Sequence, residues 1–484
     1  MRIGLLTLGC DKNTVDNEYI AGLFESRGCS VVFEPAAGGP GLDAVVVLTC
    51  GFIADAREQS VEALLAWAEV KTRDGGPRIY AAGCLAQRHA AELLNAIPEL
   101  DGIAGVGQFE QIVDLVLSGA SRANLVRPEP LVEIGSPLPR RRARALPYAF
   151  LKIADGCNHT CSFCSIPLMK GRLRSVPRDI LLEEARALLA SGVRELILVA
   201  QDISVYGWDR DDGYELPGLL GDLCALPGDF WVRCMYCYPG GITGELLDVM
   251  AAEPKIVPYL DVPLQHFDAD ILRRMRRPSS RISPRRLVAR LRKAIPGIAI
   301  RTTLIAGFPG ETQEDHEDGL RWIERMRFDR LGCFTYSHEE DTHAHTFEDD
   351  VSAEVKEQLL DRTDVTDLVV LGGRLSPALT LHLIRHGAIV FPSDPKAPVE
   401  VYRARLYTAD ELYAGLSGPL GYAGTPDARA FDWTMDRRSG RDAYVTMLRA
   451  IHDESMTDTP DALPHGLPVV RRMGGPEAQS GTGL

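Results

Sequence analysis

The first 120 residues alternate between short apolar runs and helical patterns, and no other feature constrains the fold of this chain as tightly. "IGLLTLGC" precedes "NTVDNEYIAGLFESRG", "AVVVLTC" precedes "FIADAREQSVEALLAWAEV", and "RIYAAGC" precedes "AQRHAAELLNAI". Apolar β-branched strands that alternate with helices imply right-handed crossovers and a parallel sheet. Cys10, Cys50 and Cys84 each stand where a strand turns toward its helix, each beside a glycine (Gly9, Gly51, Gly83). In a parallel sheet those strand ends share one edge, where such folds assemble their sites. The three cysteines are therefore expected to converge, although any one alone would read as a small buried apolar residue.

Residues 123–147 read as a linker rich in Pro and Arg, dividing a first domain (1–122) from a second alternating series. That series opens with "YAFLKIADGC" and continues through "ELILVAQD", "FWVRCMY", "VPYLDVPLQH", "IAIRTTLIAGFPGE" and "DRLGCFTYS". Helical stretches such as "PRDILLEEARALLASG" and "PRRLVARLRKAI" lie between them. Six strands suggest a partial (β/α)6 barrel over 148–350, with function at the C-terminal strand ends. From 351 to 450, "SAEVKEQLLDR", "DVTDLVVLGG", "LTLHLIRHGAIVF" and "PVEVYRARLYTADELYAGL" suggest a small, divergent α/β unit. Residues 451–484, rich in Pro, Gly and small polar residues, read as a disordered tail. The fold class expected is α/β throughout.

A length of 484 residues agrees with two or three domains. The formal net charge of -14 argues against a general electrostatic hold on nucleic acid, and "PRRRARA" (139–145) reads as a solvated linker. No window approaches the roughly 18 apolar residues of a membrane span, and "MRIGLLTLGC" lacks the apolar core and cleavage site of an export signal. A cytoplasmic location is the default expectation. Disulfides are not expected there, so the eleven cysteines point to metal, cluster or burial.

"DGCNHTCSFC" places Cys157, Cys161 and Cys164 in the spacing CxxxCxxC. Zinc takes four protein ligands for structure, or three plus water for catalysis, usually with histidine. His159 lies inside the loop but is not spaced for a chelate. All-thiolate sites of short spacing are the home of iron–sulfur clusters, and three ligands on a four-iron cluster leave one iron open to a chelating cofactor.

This motif, with Phe163 before its last cysteine, resembles the signature of radical S-adenosylmethionine (SAM) enzymes. "LGCDKNTVDNE", "LTCGFIADAREQS", "AGCLAQR", "AQDISVYG", "YLDVPLQH", "GFPGET" and "DRLGCFTYSHEE" resemble the methylthiotransferase branch, in the expected order over residues 1 to about 350. "VPLQH" and "DRLGCFTYS" are most similar to the type that modifies an aspartate of a small-subunit ribosomal protein. The resemblance implies two [4Fe–4S] clusters, one on Cys157, Cys161 and Cys164 and an auxiliary one on Cys10, Cys50 and Cys84. It implies that SAM chelates the open iron, that an electron from a flavodoxin- or ferredoxin-type donor yields a 5′-deoxyadenosyl radical, and that the auxiliary cluster supplies sulfur. Phe163 belongs to that signature and is a cofactor-binding candidate; Gln201 and Asp202 end a barrel strand and match a position near SAM, where a turn or a structural polar contact serves as well.

Gln265, Arg301 and Thr303 lie on or just after strands and are candidates to face cofactor or substrate; a structural polar contact serves as well. Gly307 and Gly310 of "GFPGE" would admit adenine or simply make a turn. Lys12, Asn13 and Glu18 match the family motif, but a helix-start role for Asn13 with Glu18 exposed is equally consistent. Cys234 and Cys237 would point to opposite faces of a strand, so burial is expected for them, as for Cys29, Cys224 and Cys333. His338 and His343 read as part of a polar loop. No residue is assigned an acid–base role. The family's usual C-terminal β-barrel is not legible after residue 350. Instead "RTDVTDLVVLGGRLSPALTLHLIRHGAIVF" resembles the later part of a minimal nucleotidyltransferase domain without its catalytic motifs. The acceptor is accordingly a natural-product intermediate or a protein side chain, and C-methylation or a reductive step without sulfur insertion is the alternative outcome. A non-catalytic iron–sulfur protein is the third reading.

Overall fold

The computed structural model describes residues 1–39, 41–130, 135–277, 283–363, 367–371, 389–391, 400–404 and 469–471. They fall into two units. One contains Met1–Ile256, Arg274–Arg277 and Ser337–Phe347; the other contains the described residues of Val257–Arg273, Pro278–Tyr336 and Glu348–Leu484.

The first unit opens with a sheet of β1 (Arg2–Thr7), β2 (Ser30–Phe33), β3 (Ala44–Thr49), β4 (Arg78–Gly83), β5 (Leu100–Ile103) and β6 (Ala123–Asn124). Every pairing is parallel, in the order β2-β1-β3-β4-β5-β6. β3, "AVVVLT", is buried at all six positions, as a central parallel strand covered on both faces must be. Alternate residues of β3 feed two cores. Val46 and Leu48 pack with Tyr19, Ile20 and Phe24 of α1 (Asp11–Ser26) and with Ile112, Val113 and Val116 of α4 (Phe109–Ser118). Val45 and Val47 pack with Leu64 and Trp67 of α2 (Ala54–Asp74) and Leu85 and Leu93 of α3 (Cys84–Ala96). Trp67 is fully enclosed, and its truncation to Ala is expected to cost about 3–5 kcal/mol.

The same unit continues with β7 (Tyr148–Lys152), the short antiparallel pair β8 (Ala154–Asp155) and β9 (Arg174–Ser175), β10 (Glu195–Val199) and β11 (Trp231–Cys234). β7, β10 and β11 run parallel, with β10 in the middle. α5 (Ile166–Lys170), α6 (Arg178–Ala190), α7 (Leu216–Cys224) and α8 (Gly244–Ala252) make the connections.

The second unit carries most of β12 (Ile256–Asp261), then β13 (Ala299–Ala306) and β14 (Arg330–Thr335), again parallel. Around them lie α9 (Ala269–Arg274), α10 (Pro284–Ala294) and α11 (Gln313–Met326). α10 begins under a Ser283 cap, and α11 under a capping box formed by Thr312 and Asp315. α12 (Ala353–Thr363) is followed by four short antiparallel strands: β15 (Asp367–Leu371), β16 (Ile389–Phe391), β17 (Glu400–Ala404) and β18 (Val469–Arg471). β18 falls within the segment expected to be a tail. The other expectations for 364–484, including the nucleotidyltransferase likeness, lie outside the described residues. No helix among the described residues is long and apolar enough to cross a membrane.

Two expectations are corrected. Glu18 is not on an exposed face, because α1 is enclosed almost all round, from Lys12 to Phe24. Nor is "PRRRARA" wholly a solvated linker: Arg140 is buried and bonds Glu18 Oε2 and Glu184 Oε1, each at 2.6 Å. The buried carboxylate of Glu18 in α1 and the half-buried one of Glu184 in α6 need a cation, and the linker supplies it. Cys234, Cys237 and Cys224 are buried as expected, whereas Cys29 and Cys333 are only partly so.

Candidate functional site

β1, β3 and β4 are neighbours in their sheet, and the three dispersed cysteines leave it side by side. Cys10 is the N-cap of α1, Cys50 follows β3, and Cys84 opens α3. Two glycines make the approach possible. Gly9 has φ +92°, and a Cβ there would lie 2.7 Å from Cys50 Cβ and 2.8 Å from its Sγ. Gly83 has φ +95°, and its Cβ would meet Thr49 O at 2.8 Å. Asn13 ties two of the loops together, donating from Nδ2 to Leu8 O (2.8 Å) and Thr49 O (3.2 Å). Burial pushes the Cys84 thiol up to about 12, opposed by the charge of Lys170 and reinforced by Cys10 and Cys50. Burial raises Cys50 as well, with Cys10 adding to it. The three thiols lie within each other's field.

The CxxxCxxC loop joins β8 to α5 in the same unit. Burial pushes Cys164 up to about 12 and Cys157 up to about 11, and in both Cys161 adds to the rise. His159, inside the loop, holds Asp202 Oδ2 at 2.6 Å through Nε2 and stacks on Tyr238 with ring centroids 3.7 Å apart. Asp202 Oδ1 accepts from Ser204 N (2.9 Å), Ser204 Oγ (2.5 Å) and Tyr238 N (3.1 Å). Arg277 lies over the Tyr238 ring at 4.3 Å, its Nη1 3.7 Å from Cys161 Sγ. Ser162, between two of the cysteines, donates to Met275 O (3.0 Å) and accepts from Ala344 N (2.7 Å).

Four buried charges gather next to the first triad, two of them (Asp155 and Lys170) flanking the CxxxCxxC loop in sequence. Lys152 pairs with Asp16 and with Asp155 Oδ2 (3.1 Å); Lys170 lies 3.3 Å from Asp16 Oδ2 and 3.4 Å from Asp155 Oδ2. Burial alone would strip both ammonium groups of a proton, but the two carboxylates prevail and hold both lysines charged. Burial opposes ionisation of Asp155 too, yet Lys152 and Lys170 hold its carboxyl well below the usual range. Gln201 Nε2 donates to Asp155 Oδ1 (2.7 Å), and its Oε1 is buried without a partner among the described residues. Met169, beside Lys170, packs on Cys84 and Val106. Thus α5, which follows one triad, rests against the helix that opens at the other. Exposed Phe52, two residues after Cys50, and exposed Leu168 of α5 give this region an apolar rim.

In the second unit, Arg301 Nη1 bonds Asp261 Oδ2 (2.9 Å), and Thr303 O accepts from Gln265 N (2.8 Å). Gln265 has φ +73° and bridges to Leu304. Gly307 N donates to Glu311 Oε2 (2.6 Å), and a Cβ at Gly307 would meet Lys356 Cγ at 2.3 Å, so the close approach this glycine permits is by Lys356. Gly310 N donates to Asp350 Oδ1 (2.8 Å).

The donor sets fit iron–sulfur clusters. Each triad is all-thiol, with Cys50 and Cys84 buried and the other four cysteines half-buried, and donors of this chemistry suit an iron–sulfur cluster. Sequence reasoning passed over His159 as a chelator and did not single out Lys152, Lys170, Asp16, Tyr238 or Arg277. The signals present were a histidine within the cysteine loop, the aromatic "MYCYP" at the end of a strand, and lysines inside otherwise apolar segments.

Parallel βα units with a three-cysteine loop after the first strand of the second series define a radical SAM enzyme. Residues 151–323 match the model of the radical SAM superfamily, and residues 2–105 match one described as uncharacterized protein family UPF0004. The chain is 44% identical over 362 residues to the ribosomal protein uS12 methylthiotransferase RimO of Desulforudis audaxviator (strain MP104C), covering 75% of this chain and 79% of the relative. It is also 44% identical over 359 residues to the RimO of Lachnoclostridium phytofermentans (strain ATCC 700394 / DSM 18823 / ISDg), covering 74% and 80%. Among solved structures, the cobalamin-dependent SAM radical enzyme OxsB is similar in fold, with TM-score 0.51 at 11% identity over 93% of this chain and 71% of that one. The chain belongs to the radical SAM methylthiotransferase family, whose members use SAM and [4Fe–4S] clusters.

Proposed function

We propose that this chain holds two [4Fe–4S] clusters, a radical SAM cluster on Cys157, Cys161 and Cys164 and an auxiliary one on Cys10, Cys50 and Cys84. We infer that it inserts a methylthio group at an unactivated C–H of a protein side chain. The observation that carries this reading is the presence of two cysteine triads in one unit, joined through α5 and the Lys152–Lys170–Asp16–Asp155 quartet. One triad accounts for radical initiation; a second accounts for sulfur.

When bound, the clusters and SAM supply the reductive cleavage, the hydrogen abstraction and the sulfur. The chain's own residues hold and enclose them. Arg277 offers a donor to the sulfur of Cys161, and hydrogen bonds to cluster sulfurs tune reduction potential. Asp202 spends both oxygens on His159, Ser204 and Tyr238, and so acts by orienting the loop. Lys170 presents fixed positive charge to the first triad. A flavodoxin- or ferredoxin-type donor supplies electrons from outside. The relatives named for ribosomal protein uS12 support a protein acceptor, as does the apolar rim of Phe52 and Leu168.

The test is anaerobic reconstitution with SAM, a reductant and uS12, with mass analysis of the protein. A gain of one methylthio group per acceptor is expected. A gain of methyl alone would make the enzyme a C-methylase. Absence of 5′-deoxyadenosine, in wild type as in Cys161→Ala, would leave a non-catalytic iron–sulfur protein.

A further inference from the structure

Just past β11, the segment Met235–Tyr238 touches the surroundings of both triads. Tyr236 has φ +60°, in the left-handed region that a bulky side chain adopts only when its environment fixes it there. That environment comes from the first triad's side. The Tyr236 hydroxyl donates to Asp11 Oδ2 at 2.9 Å, and Lys12 Nζ lies 3.7 Å from the centre of its ring. Asp11 and Lys12 are the two residues after Cys10, and Lys12 is buried. Tyr236 O accepts from Ile203 N at 3.0 Å, next to Asp202, which orients His159. Two residues on, Tyr238 carries His159 on its ring and lies under Arg277. One strained turn thus holds the backbone behind Cys10 with one tyrosine and the CxxxCxxC loop with the other.

We propose that Tyr236 is a positioning residue that fixes the Cys10 loop relative to the CxxxCxxC loop, so that sulfur held at one triad meets carbon activated at the other. This rests on the two-cluster reading. Radical initiation needs only the second triad with its SAM, whereas sulfur transfer needs the two sites in register. Losing the Tyr236–Asp11 bond therefore separates the two half-processes instead of lowering both.

The test compares wild type with Tyr236→Phe, which keeps the ring over Lys12, and with Asp11→Asn, which removes the charge from the other side of the bond. Iron content and 5′-deoxyadenosine formation are expected to stay within about twofold of wild type. The yield of methylthiolated acceptor per 5′-deoxyadenosine is expected to fall about tenfold, the scale of one hydrogen bond to a charged group. In the metal-free chain, amide hydrogen exchange across residues 10–16 is expected to quicken about tenfold, while residues 157–164 keep their protection. An unchanged yield ratio with unchanged exchange in both variants overturns the assignment of Tyr236 alone. A wild-type chain that binds one cluster, or transfers no methylthio group, overturns the reading beneath it.

Discussion

Lys170 Nζ lies 3.4 Å from Asp155 Oδ2, so the helix that follows the CxxxCxxC loop is pinned to the strand residue that precedes it. With Lys152 and Asp16 the pair makes two positive and two negative charges, enclosed together. Removing one member leaves an uncompensated buried charge, and that cost exceeds the worth of any single ion pair. Lys170→Met is therefore expected to destabilise the metal-free chain by about 3–5 kcal/mol in chemical denaturation. A loss below about 1 kcal/mol would mean that water reaches the quartet.

Gly9→Ala tests the convergence of the dispersed cysteines. The added methyl would enter the space of the Cys50 side chain, 2.7 Å from its Cβ, at a backbone angle alanine disfavours. Iron at the first triad is expected to be lost while SAM cleavage at the second persists. Full iron loading in this variant would show that the two loops need not lie so close.

Asp202→Ala frees His159, Ser204 and Tyr238 together. Outer-shell partners of metal sites are commonly worth about 10–100-fold in affinity or activity, and a loss of that size in 5′-deoxyadenosine formation is expected. Asp202→Asn keeps an acceptor for the Tyr238 and Ser204 donors and should recover part of it. Equal loss in both variants would point to the carboxylate charge itself.

Glu311 gives a pH dependence. Burial pushes its carboxyl up, but His266, His316 and the Gly307 N–H outweigh burial and hold it at about 2, below its ordinary value of 4.5. Because the folded value is the lower one, its stabilisation is complete above about pH 4.5 and is lost as pH falls toward about 2. The difference in unfolding free energy between wild type and Glu311→Gln should shrink over that window, by an amount on the order of 2–3 kcal/mol. A pH-independent difference would show that Glu311 acts through packing. Since Gly307 N and Phe308 N both donate to Glu311, the "GFPG" turn should loosen over the same window.

Much of this arrangement is legible in the sequence. Cys10, Cys50 and Cys84 stand where apolar runs end, and a parallel sheet has only one place to put such residues. What the sequence hides is the partner of each buried polar group. Glu18 and Arg140 are 122 positions apart, Lys170 and Asp16 are 154 apart, and neither pair leaves a periodic trace. Tyr236 looks like an ordinary strand aromatic until its backbone angle is known. Glycine positions invite a ligand reading, yet at Gly307 the close neighbour is the chain's own Lys356. Local pattern fixes where elements begin and end, whereas long-range charge pairing decides how the site is held.

The central claim is that each triad holds its own cluster, and iron analysis tests it most directly. Anaerobically reconstituted wild-type chain is expected to carry about eight irons, and Cys50→Ala about four, with 5′-deoxyadenosine formation retained. Wild-type iron near four, or iron unchanged by Cys50→Ala, would contradict it.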